Sequence, residues 1–329
     1  MRIIADPQQA NLERDTVLTI GAFDGLHLGH QGLLKRLIAR ARQAARLSGV
    51  VTFDPLPREV LDPKSNTVCL TSVEDKAMLL EQWGLDVLVV LRFDLELART
   101  PAQDFCQMLY ANLRMRELWI GWDFALGRQR EGNTSALRKL GAALGFDVHV
   151  IRPVREGEAV ISSTQIRSLV SAGLVREAAE MLGRYHQLRA TVVAGQGRGK
   201  QLGYPTANLQ PARHCAVPGD GVYAAYVVYG NQRYPSVANI GQRPTFRSAQ
   251  DLAFRSAQDL AFRSAQDLAF GPGQQVIEAH LLDFYGDLYG QEVVVQFVDR
   301  LREERRFANA DELRAQIKKD VARAKEILE

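Results

Sequence analysis

The regular alternation of short apolar runs with helical patterns between Thr16 and Ile151 limits the fold of this chain more than any other feature. The runs VLTI, VVTF and LDVLVVLRF each precede a stretch with helical spacing, such as LLKRLIARARQAARL or VEDKAMLLEQW. Strands that alternate with helices of this length form parallel sheets with crossover connections. We therefore predict a doubly wound α/β domain in the N-terminal half, with ligands at the carboxyl ends of its strands.

The pattern of apolar and polar residues changes after Arg184. Segments such as GVYAAYVVYG and EVVVQFVDRL alternate apolar and polar residues and are broken by Gly and Pro, which predicts an antiparallel barrel or sandwich. The chain closes with a helical pattern that begins with Asn309 and Glu312 in a capping arrangement. Since 329 residues are too many for one ordinary domain, we predict two domains, 1–184 and 185–329, with the last helix packed on the second.

Charge and composition narrow the class of protein. The 41 Lys and Arg against 38 Asp and Glu give a net charge of only +3, so no nucleic-acid partner is expected. The three cysteines form no CxxC pair that would indicate zinc. The N-terminal segment lacks an apolar signal core, and no apolar stretch of about 18 residues occurs. We expect a cytoplasmic protein with no membrane partner.

The octapeptide RSAQDLAF occurs three times in succession in residues 247–270. In a helix, a period of eight drifts by roughly 80° per repeat, so the Leu and Phe residues do not stay on one face. A solenoid needs longer units. We interpret the segment as a tandem expansion within a loop of the second domain.

A candidate phosphate site follows the first predicted strand in the segment GAFDGLHLGH. Gly21 and Gly25 permit a tight turn, and His27 and His30 fall at the entrance of the next helix, where backbone N–H groups favour an anion. A second candidate lies in ISSTQIRSLVSAG, where hydroxyls at a helix start, including Ser163 and Thr164, precede Arg167 in the predicted first turn. Two anion-binding elements are thus predicted in one domain.

GAFDGLHLGH resembles the HxGH signature of nucleotidyltransferases and, in its wider form, the adenylyltransferase module of bacterial bifunctional riboflavin kinase/FMN adenylyltransferases (FAD synthetases). ISSTQIRSLVSAG is similar to the second motif of that family, while TFDPLPREVL and GWDFALGRQREG resemble its flavin-side segments. The resemblance implies a Rossmann-like nucleotidyltransferase domain. It also adds Phe23 and Asp24 to the nucleotide-binding residues. Asp123 either contacts the flavin or nucleotide, or is a turn carboxylate.

The implied N-terminal reaction is adenylyl transfer. A phosphate oxygen of FMN attacks the α-phosphorus of ATP and pyrophosphate leaves, so the protein has to align the phosphates and neutralise their charge. His27, His30 and Arg167 are the expected catalytic residues, and Ser163 and Thr164 the expected hydrogen-bond donors.

A second site is expected in GQGRGKQLGYPTANL. It is no Walker loop, because Gln201 follows Lys200 where Ser or Thr is required. The segment resembles the riboflavin kinase signature, with Gly197 and Lys200 as nucleotide-binding residues. In that signature Thr206 and Asn208 hold Mg-ATP, which suits the preference of Mg²⁺ for oxygen ligands; the alternative for these two is ordinary turn chemistry.

Two later segments, NIGQRPTF and EAHLLDFYGDLYG, follow in the order of the same family. The resemblance implies an antiparallel riboflavin kinase barrel with a terminal helix, a flavin contact at Asn239, and Glu278 as the general base that takes a proton from the ribityl hydroxyl. The implied function is phosphorylation of riboflavin to FMN and adenylylation of FMN to FAD, with ATP and Mg²⁺.

Two alternatives remain open at the level of sequence. One is an enzyme that retains only one of the two activities. The other is a non-enzymatic flavin- or RNA-binding regulator, suggested only by the pI and by an arginine-rich helix that contains Arg36, Arg40, Arg42 and Arg46. Such a run is typical of a solvated helix face.

Overall fold

The computed structural model describes residues 1–65, 67–152, 155–156, 159–195, 203–212, 215–242, 275–305 and 307–329. By packing, the chain divides into two compact units, Met1–Ile166 and Arg167–Glu329. The division falls before the boundary predicted after Arg184, because a helix at 175–182 packs on strands of the second unit. The boundary at 184 stays a prediction for the functional modules.

The described residues of the first unit form ten strands, four of them only two residues long. They are β1 (Arg2–Ile4), β2 (Thr16–Ile20), β3 (Leu47–Asp54), β4 (Val87–Arg92), β5 (Met115–Gly121), β6 (Ala125–Leu126), β7 (Gly132–Asn133), β8 (Asp147–Ile151), β9 (Arg155–Glu156) and β10 (Ala159–Val160). The helices up to the division are α1 (Leu28–Gln43), α2 (Pro57–Leu61), α3 (Val73–Gln82), α4 (Leu95–Arg99), α5 (Ala102–Asn112), α6 (Thr134–Leu144) and α7 (Ser163–Ser171), the last of which crosses it.

The main sheet of this unit has six parallel strands in the order β1-β4-β3-β2-β5-β8. From β2 the chain builds β3 and β4 on one side and then returns to place β5 on the other side of β2. The strand order therefore reverses between β2 and β5, and ligands bind such sheets at the carboxyl ends of the strands beside the reversal. The predicted doubly wound α/β domain is confirmed.

The arginine-rich helix α1 is anchored on the sheet through a buried carboxylate. Glu117 on β5 is fully buried and pairs with Arg40 at 2.8 Å and with Arg46 at 2.7 Å. Burial alone would raise the pKa of Glu117, but hydrogen bonds from Arg40 and Trp119 and the nearby positive charge lower it. Arg36, Arg40 and Arg42 are exposed, as predicted for a solvated helix face, whereas Arg46 lies beyond the end of α1 and is partly buried beside Glu117.

Within the described residues, the second unit consists of a closed antiparallel barrel and two further helices. Its strands are β11 (His186–Val193), β12 (Ala207–Pro211), β13 (Gly221–Tyr229), β14 (Gln232–Gln242), β15 (Gln275–Leu281) and β16 (Glu292–Arg302), and its helices are α8 (Val175–Leu182) and α9 (Ala310–Leu328). The six strands close in the order β11-β12-β15-β14-β13-β16. Side chains that alternate inward from every strand fill the barrel core. The predicted barrel is confirmed.

The terminal helix α9 begins as predicted. The side chain of Asn309 accepts a 2.9 Å hydrogen bond from the N–H of Glu312. Ala324 and Leu328 on α9 are buried against Ala224 of β13 and Val298 of β16. The predicted packing of this helix on the barrel is confirmed.

Two local expectations differ from the structure. Helix α1 ends at Gln43, not at Leu47, because Leu47 already pairs with Thr16 as the first residue of β3. The turn expected around Asn208 is partly a strand, since β12 begins at Ala207. Among the described residues, no helix is long and apolar enough to cross a membrane.

Candidate active sites

The turn between β2 and α1 lies at the reversal of the strand order and has an unusual backbone. Phe23, Gly25 and Leu26 have φ angles of 45°, 81° and 43°. These values fall in the left-handed region, which Gly25 adopts freely and side-chain-bearing residues such as Phe23 and Leu26 rarely adopt. Contacts with neighbouring residues must therefore stabilise the conformation of this turn. The turn ends at His27, which is the N-cap residue of α1.

Three rings are in contact at the entrance of α1. The imidazoles of His27 and His30 lie 3.7 Å apart between centroids, and the ring of Phe23 meets His30 edge-on at 5.0 Å. The Nδ1 atom of His30 is buried and has no hydrogen-bond partner among the described residues. Burial, followed by the charges of His27 and Lys76, holds the pKa of His30 well below its ordinary value of 6.5. His30 is thus neutral at pH 7 in the free protein.

The second predicted anion-binding element lies directly against this turn. The Ser163 hydroxyl, at the start of α7, donates a 2.8 Å hydrogen bond to the carbonyl of Asp24. The hydroxyl of Ser162 accepts from the N–H of Gln165 and so caps α7. The positive ends of α1 and α7 therefore meet in one place, as binding of a polyphosphate requires.

The remaining residues predicted for adenylyl transfer occupy different positions. Asp24 is buried, and its carboxylate accepts from the N–H groups of Leu70 and Thr71 at 2.8 and 3.2 Å. Thr164 follows Ser163 on α7. Arg167 begins the second turn of α7, one turn later than expected, on the same helix face as Ser163.

Asp123 is exposed just after β5, and its carbonyl accepts from Arg130 at 2.9 Å. Since β3 and β5 flank β2, the two predicted flavin-side segments, which begin in the last residues of β3 and β5, start on either side of β2.

One residue of this site was missed by the sequence reasoning. Lys76 on α3 is only 1% exposed, and its Nζ donates to the carbonyl of Ala22 at 2.7 Å and to the hydroxyl of Thr52 at 3.0 Å. The sequence around it, VEDKAMLLEQW, was interpreted only as a helix. A lysine at a position that falls on the buried side of a predicted helix is the signal that could have identified it.

Three predicted residues form a row across the barrel wall. Glu278 on β15 is directly opposite Asn208 on β12 and, on its other side, directly opposite Asn239 on β14. The neighbours of Glu278 along its strand, Ile277 and Ala279, belong to the barrel core. Because side chains alternate along a strand, Glu278 and its two partners lie on the outer face of the barrel.

Thr206 immediately precedes β12, two residues before Asn208, so that its side chain extends the row. The carbonyl of Pro205 lies 2.7 Å from the Nδ1 of His280, whose ring also meets Tyr204 edge-on. His280 therefore ties the segment before β12 to β15, a role that the sequence reasoning did not foresee.

Gly195, which begins the glycine-rich segment before β12, lies beside Asn208, one of the residues in the row with Glu278 and Asn239. A Cβ atom on Gly195 would fall 1.8 Å from the Nδ2 of Asn208, so only glycine fits there. The predicted nucleotide-binding residues Gly197 and Lys200, and the octapeptide repeats at 247–270, lie outside the described residues.

Comparisons with known proteins agree with the two units. The FAD synthetase family model matches residues 9–165, and the riboflavin kinase family model matches residues 182–328. The bifunctional riboflavin kinase/FMN adenylyltransferase of Escherichia coli K12 is 36% identical over 94% of this chain and 92% of its own length. The protein of that name from Pseudomonas fluorescens is 37% identical over 95% and 93%.

A solved structure is similar over almost the whole chain. The crystal structure of a macrolide-efflux protein from Streptococcus pneumoniae has a TM-score of 0.83 and 27% identity, and the match covers 98% of each chain; the name describes that protein alone. Both family models match in order, and the curated relatives match over nearly their full length. The chain therefore belongs to the family of bifunctional riboflavin kinase/FMN adenylyltransferases.

Proposed function

We propose that the two reactions of this bifunctional enzyme are divided between two separate sites, with adenylylation of FMN in the first unit and phosphorylation of riboflavin on the barrel. The observation that carries the proposal is the presence of one polar constellation in each unit: the joined N-termini of α1 and α7, and the row formed by Asn208, Glu278 and Asn239. Each matches the chemistry of one reaction.

In the first unit, the imidazoles of His27 and His30 donate N–H groups to phosphate oxygens of ATP, and the two helix N-termini oppose the negative charge of the polyphosphate. Arg167, Ser163 and Thr164 add donors from α7, while Gly21 and Gly25 allow the backbone to approach. A phosphate oxygen of FMN then attacks the α-phosphorus, the bond to the bridging oxygen breaks, and pyrophosphate leaves. Asp123 is proposed as a flavin contact.

On the barrel, Glu278 accepts the proton of the ribityl hydroxyl as that oxygen attacks the γ-phosphorus of ATP and ADP leaves. Asn239, beside Glu278, is proposed to contact the flavin. Gly197 and Lys200 are proposed to bind the nucleotide.

Mg²⁺ fits the donors available here. The Thr206 hydroxyl and the Asn208 amide offer oxygen, and no cluster of three or more His, Cys, Asp or Glu is found in the described chain that would form a complete metal cage. Mg²⁺ commonly binds through few protein oxygens together with water and substrate phosphates. When bound, the ion neutralises phosphate charge. Because both reactions consume ATP, we propose that the protein acts in the cytoplasm.

A time course tests the proposal. Purified protein is incubated with riboflavin, ATP and Mg²⁺, and FMN and FAD are separated by chromatography. FMN is expected first, followed by its conversion to FAD, and chelation of Mg²⁺ with EDTA should stop FMN formation. Continued FMN formation in EDTA would refute the metal assignment, and failure to convert added FMN would refute the assignment of the first unit.

A further inference from the structure

Lys76 is a buried charge that the proposed reaction does not yet use. Lysine is almost never fully buried unless it is paired, and removing an ammonium ion from water costs several kcal/mol. The Nζ of Lys76 donates to the carbonyl of Ala22 and to the hydroxyl of Thr52, and that hydroxyl donates at 3.0 Å to the same carbonyl. Two donors from different elements thus converge on one backbone oxygen.

The hydrogen bonds to the Ala22 carbonyl matter because of where Ala22 lies in the chain. Ala22 lies at the start of the β2–α1 turn, immediately before Phe23, whose left-handed backbone requires outside restraint. The turn is also held two residues after Ala22, where the N–H groups of Leu70 and Thr71 donate to the carboxylate of Asp24. Residues 70–76, which lead into the first turn of α3, therefore hold the turn on both sides of Phe23.

We propose that Lys76 is a positioning residue for adenylyl transfer, because its ammonium group fixes the Ala22 carbonyl and thereby the Phe23, His27 and His30 rings that meet the ATP phosphates. This inference rests on the proposed function of the first unit. It assigns to α3 the task of setting the geometry of the phosphate turn.

Electrostatics agree with the geometry. The groups whose charge acts on His30 are His27 and Lys76, and both lower its pKa after the larger effect of burial. The ammonium group thus lies close enough to contribute to the lowered pKa of His30, besides restraining the backbone.

The competing explanation is that Lys76 only fills space in the core. Burial of an unbranched methionine in place of a lysine removes the desolvation cost and keeps most of the volume. If Lys76 only filled space, Lys76→Met would leave FAD formation unchanged. If it positions the turn, the same variant would stay folded and lose turnover.

The test measures FAD formation from added FMN and ATP with the full chain. Lys76→Met is expected to lower kcat by at least about tenfold, since small misplacement of reacting groups has effects of up to about a hundredfold, while the KM for ATP changes much less. FMN formation by the same molecule should be unchanged. Leu80→Met, one turn further along α3 and fully buried, is the matched control and should leave both activities unchanged.

Folding and the state of His30 are measured on the same samples. All three tryptophans lie in the first unit, so their fluorescence follows its unfolding; the midpoint for Lys76→Met should stay above the temperature of the activity assay. The NMR titration midpoint of His30 should move to higher pH when the charge is removed. This readout does not depend on turnover, so it separates the inference from the proposed function if the parent forms no FAD.

Thr52→Val provides a second variant if Lys76→Met does not fold. It removes the hydroxyl between the ammonium group and Ala22 but keeps the charge, so a smaller fall in kcat is expected, with no loss of FMN formation. Normal FAD formation in folded Lys76→Met, or a fall in kcat that Leu80→Met reproduces together with an equal fall in unfolding midpoint, would overturn the proposal. Normal FAD formation in Thr52→Val would do the same if Lys76→Met is unfolded.

Discussion

Asn208 and Glu278 stand directly opposite each other on neighbouring strands of the barrel wall. In such a pair the Cβ atoms are about 5 Å apart, so that the two side chains share one small region of the surface. A carboxylate and an amide oxygen at this spacing place the proposed base beside the proposed metal ligand. Both residues belong to the second unit, so a change to either one tests the proposed kinase site without altering the first unit.

Glu278→Gln should lower FMN formation by about 10²- to 10⁴-fold, because general base catalysis contributes this much. The amide keeps the shape of the side chain but does not accept a proton. FAD formation from added FMN should be unchanged, and His30→Gln should show the reverse pattern. Both rates are measured by chromatography on each variant; joint loss from either change would contradict two independent sites.

His280→Ala should weaken binding of MgATP at the barrel, because the carbonyl of Pro205 loses its partner beside Thr206. A hydrogen bond contributes about 1 kcal/mol, so we expect a rise of roughly fivefold in the KM for ATP in FMN formation. His280→Asn, whose amide N–H can replace the ring Nδ1–H, should restore much of the effect. Equal KM values for ATP in all three proteins would show that His280 does not contribute to binding of MgATP.

Binding of ATP should raise the pKa of His30. In the free protein, burial and the charges of His27 and Lys76 hold it well below 6.5, whereas nearby phosphates favour the imidazolium form. NMR titration of labelled histidines, with His30→Gln used for assignment, should show the midpoint at higher pH with ATP than without. A midpoint that ATP does not move would place the phosphates elsewhere.

Acid should destabilise the barrel through His186. This residue is buried, its Nε2 lies 2.7 Å from the carbonyl of Ala216, and burial lowers its pKa to about 4. The unfolded chain takes up a proton near pH 6.5, so stability is fully present above that pH and falls as the pH approaches 4. The loss is about 3 kcal/mol.

The pH effect is checked by urea unfolding followed by tyrosine fluorescence, since the barrel unit contains no tryptophan. His186→Gln retains a donor for Ala216 but does not titrate. The difference in unfolding free energy between the parent and this variant should shrink from pH 7 to pH 4.5. A constant difference would show that His186 does not titrate as expected.

Removal of two RSAQDLAF copies should leave the barrel intact. Gln242 and Gln275 are paired at the ends of β14 and β15, so the connection between them starts and ends at neighbouring points. Deleting 16 of the 32 intervening residues halves the connection and changes stability by roughly 0.6 kcal/mol. Calorimetry and the rate of FMN formation check this; a large change in either would assign the repeats a role.

The sequence periodicities were sufficient for the two architectures but not for strand order. Alternating strands and helices predicted the parallel sheet, and polar–apolar alternation predicted the antiparallel unit. No local signal states that β2 lies between β3 and β5, because strand order depends on packing of the complete sheet. The short strand β12 was interpreted as a turn because Pro205 precedes it and Asn208 lies within it.

Site residues that lie close together in one sequence motif could be predicted. A residue that is distant in sequence from the motif it contacts could not. His27 and His30 are three residues apart, and their contact follows from helix geometry. Lys76 is 54 residues from Ala22 along the chain, and a lysine in a helix normally points to solvent. The helical spacing could place Lys76 on the buried side of α3, but only the fold shows that its ammonium group reaches Ala22.

Closure of the barrel has a further consequence for self-association. Each of its six strands is paired on both sides, so it offers no full-length open edge to another chain. The sheet of the first unit ends instead at β1 and β8. The edge at β1 is only three residues long, a length that discourages pairing with a second molecule, whereas β8 has five. Intermolecular strand pairing in a concentrated sample should therefore begin at β8.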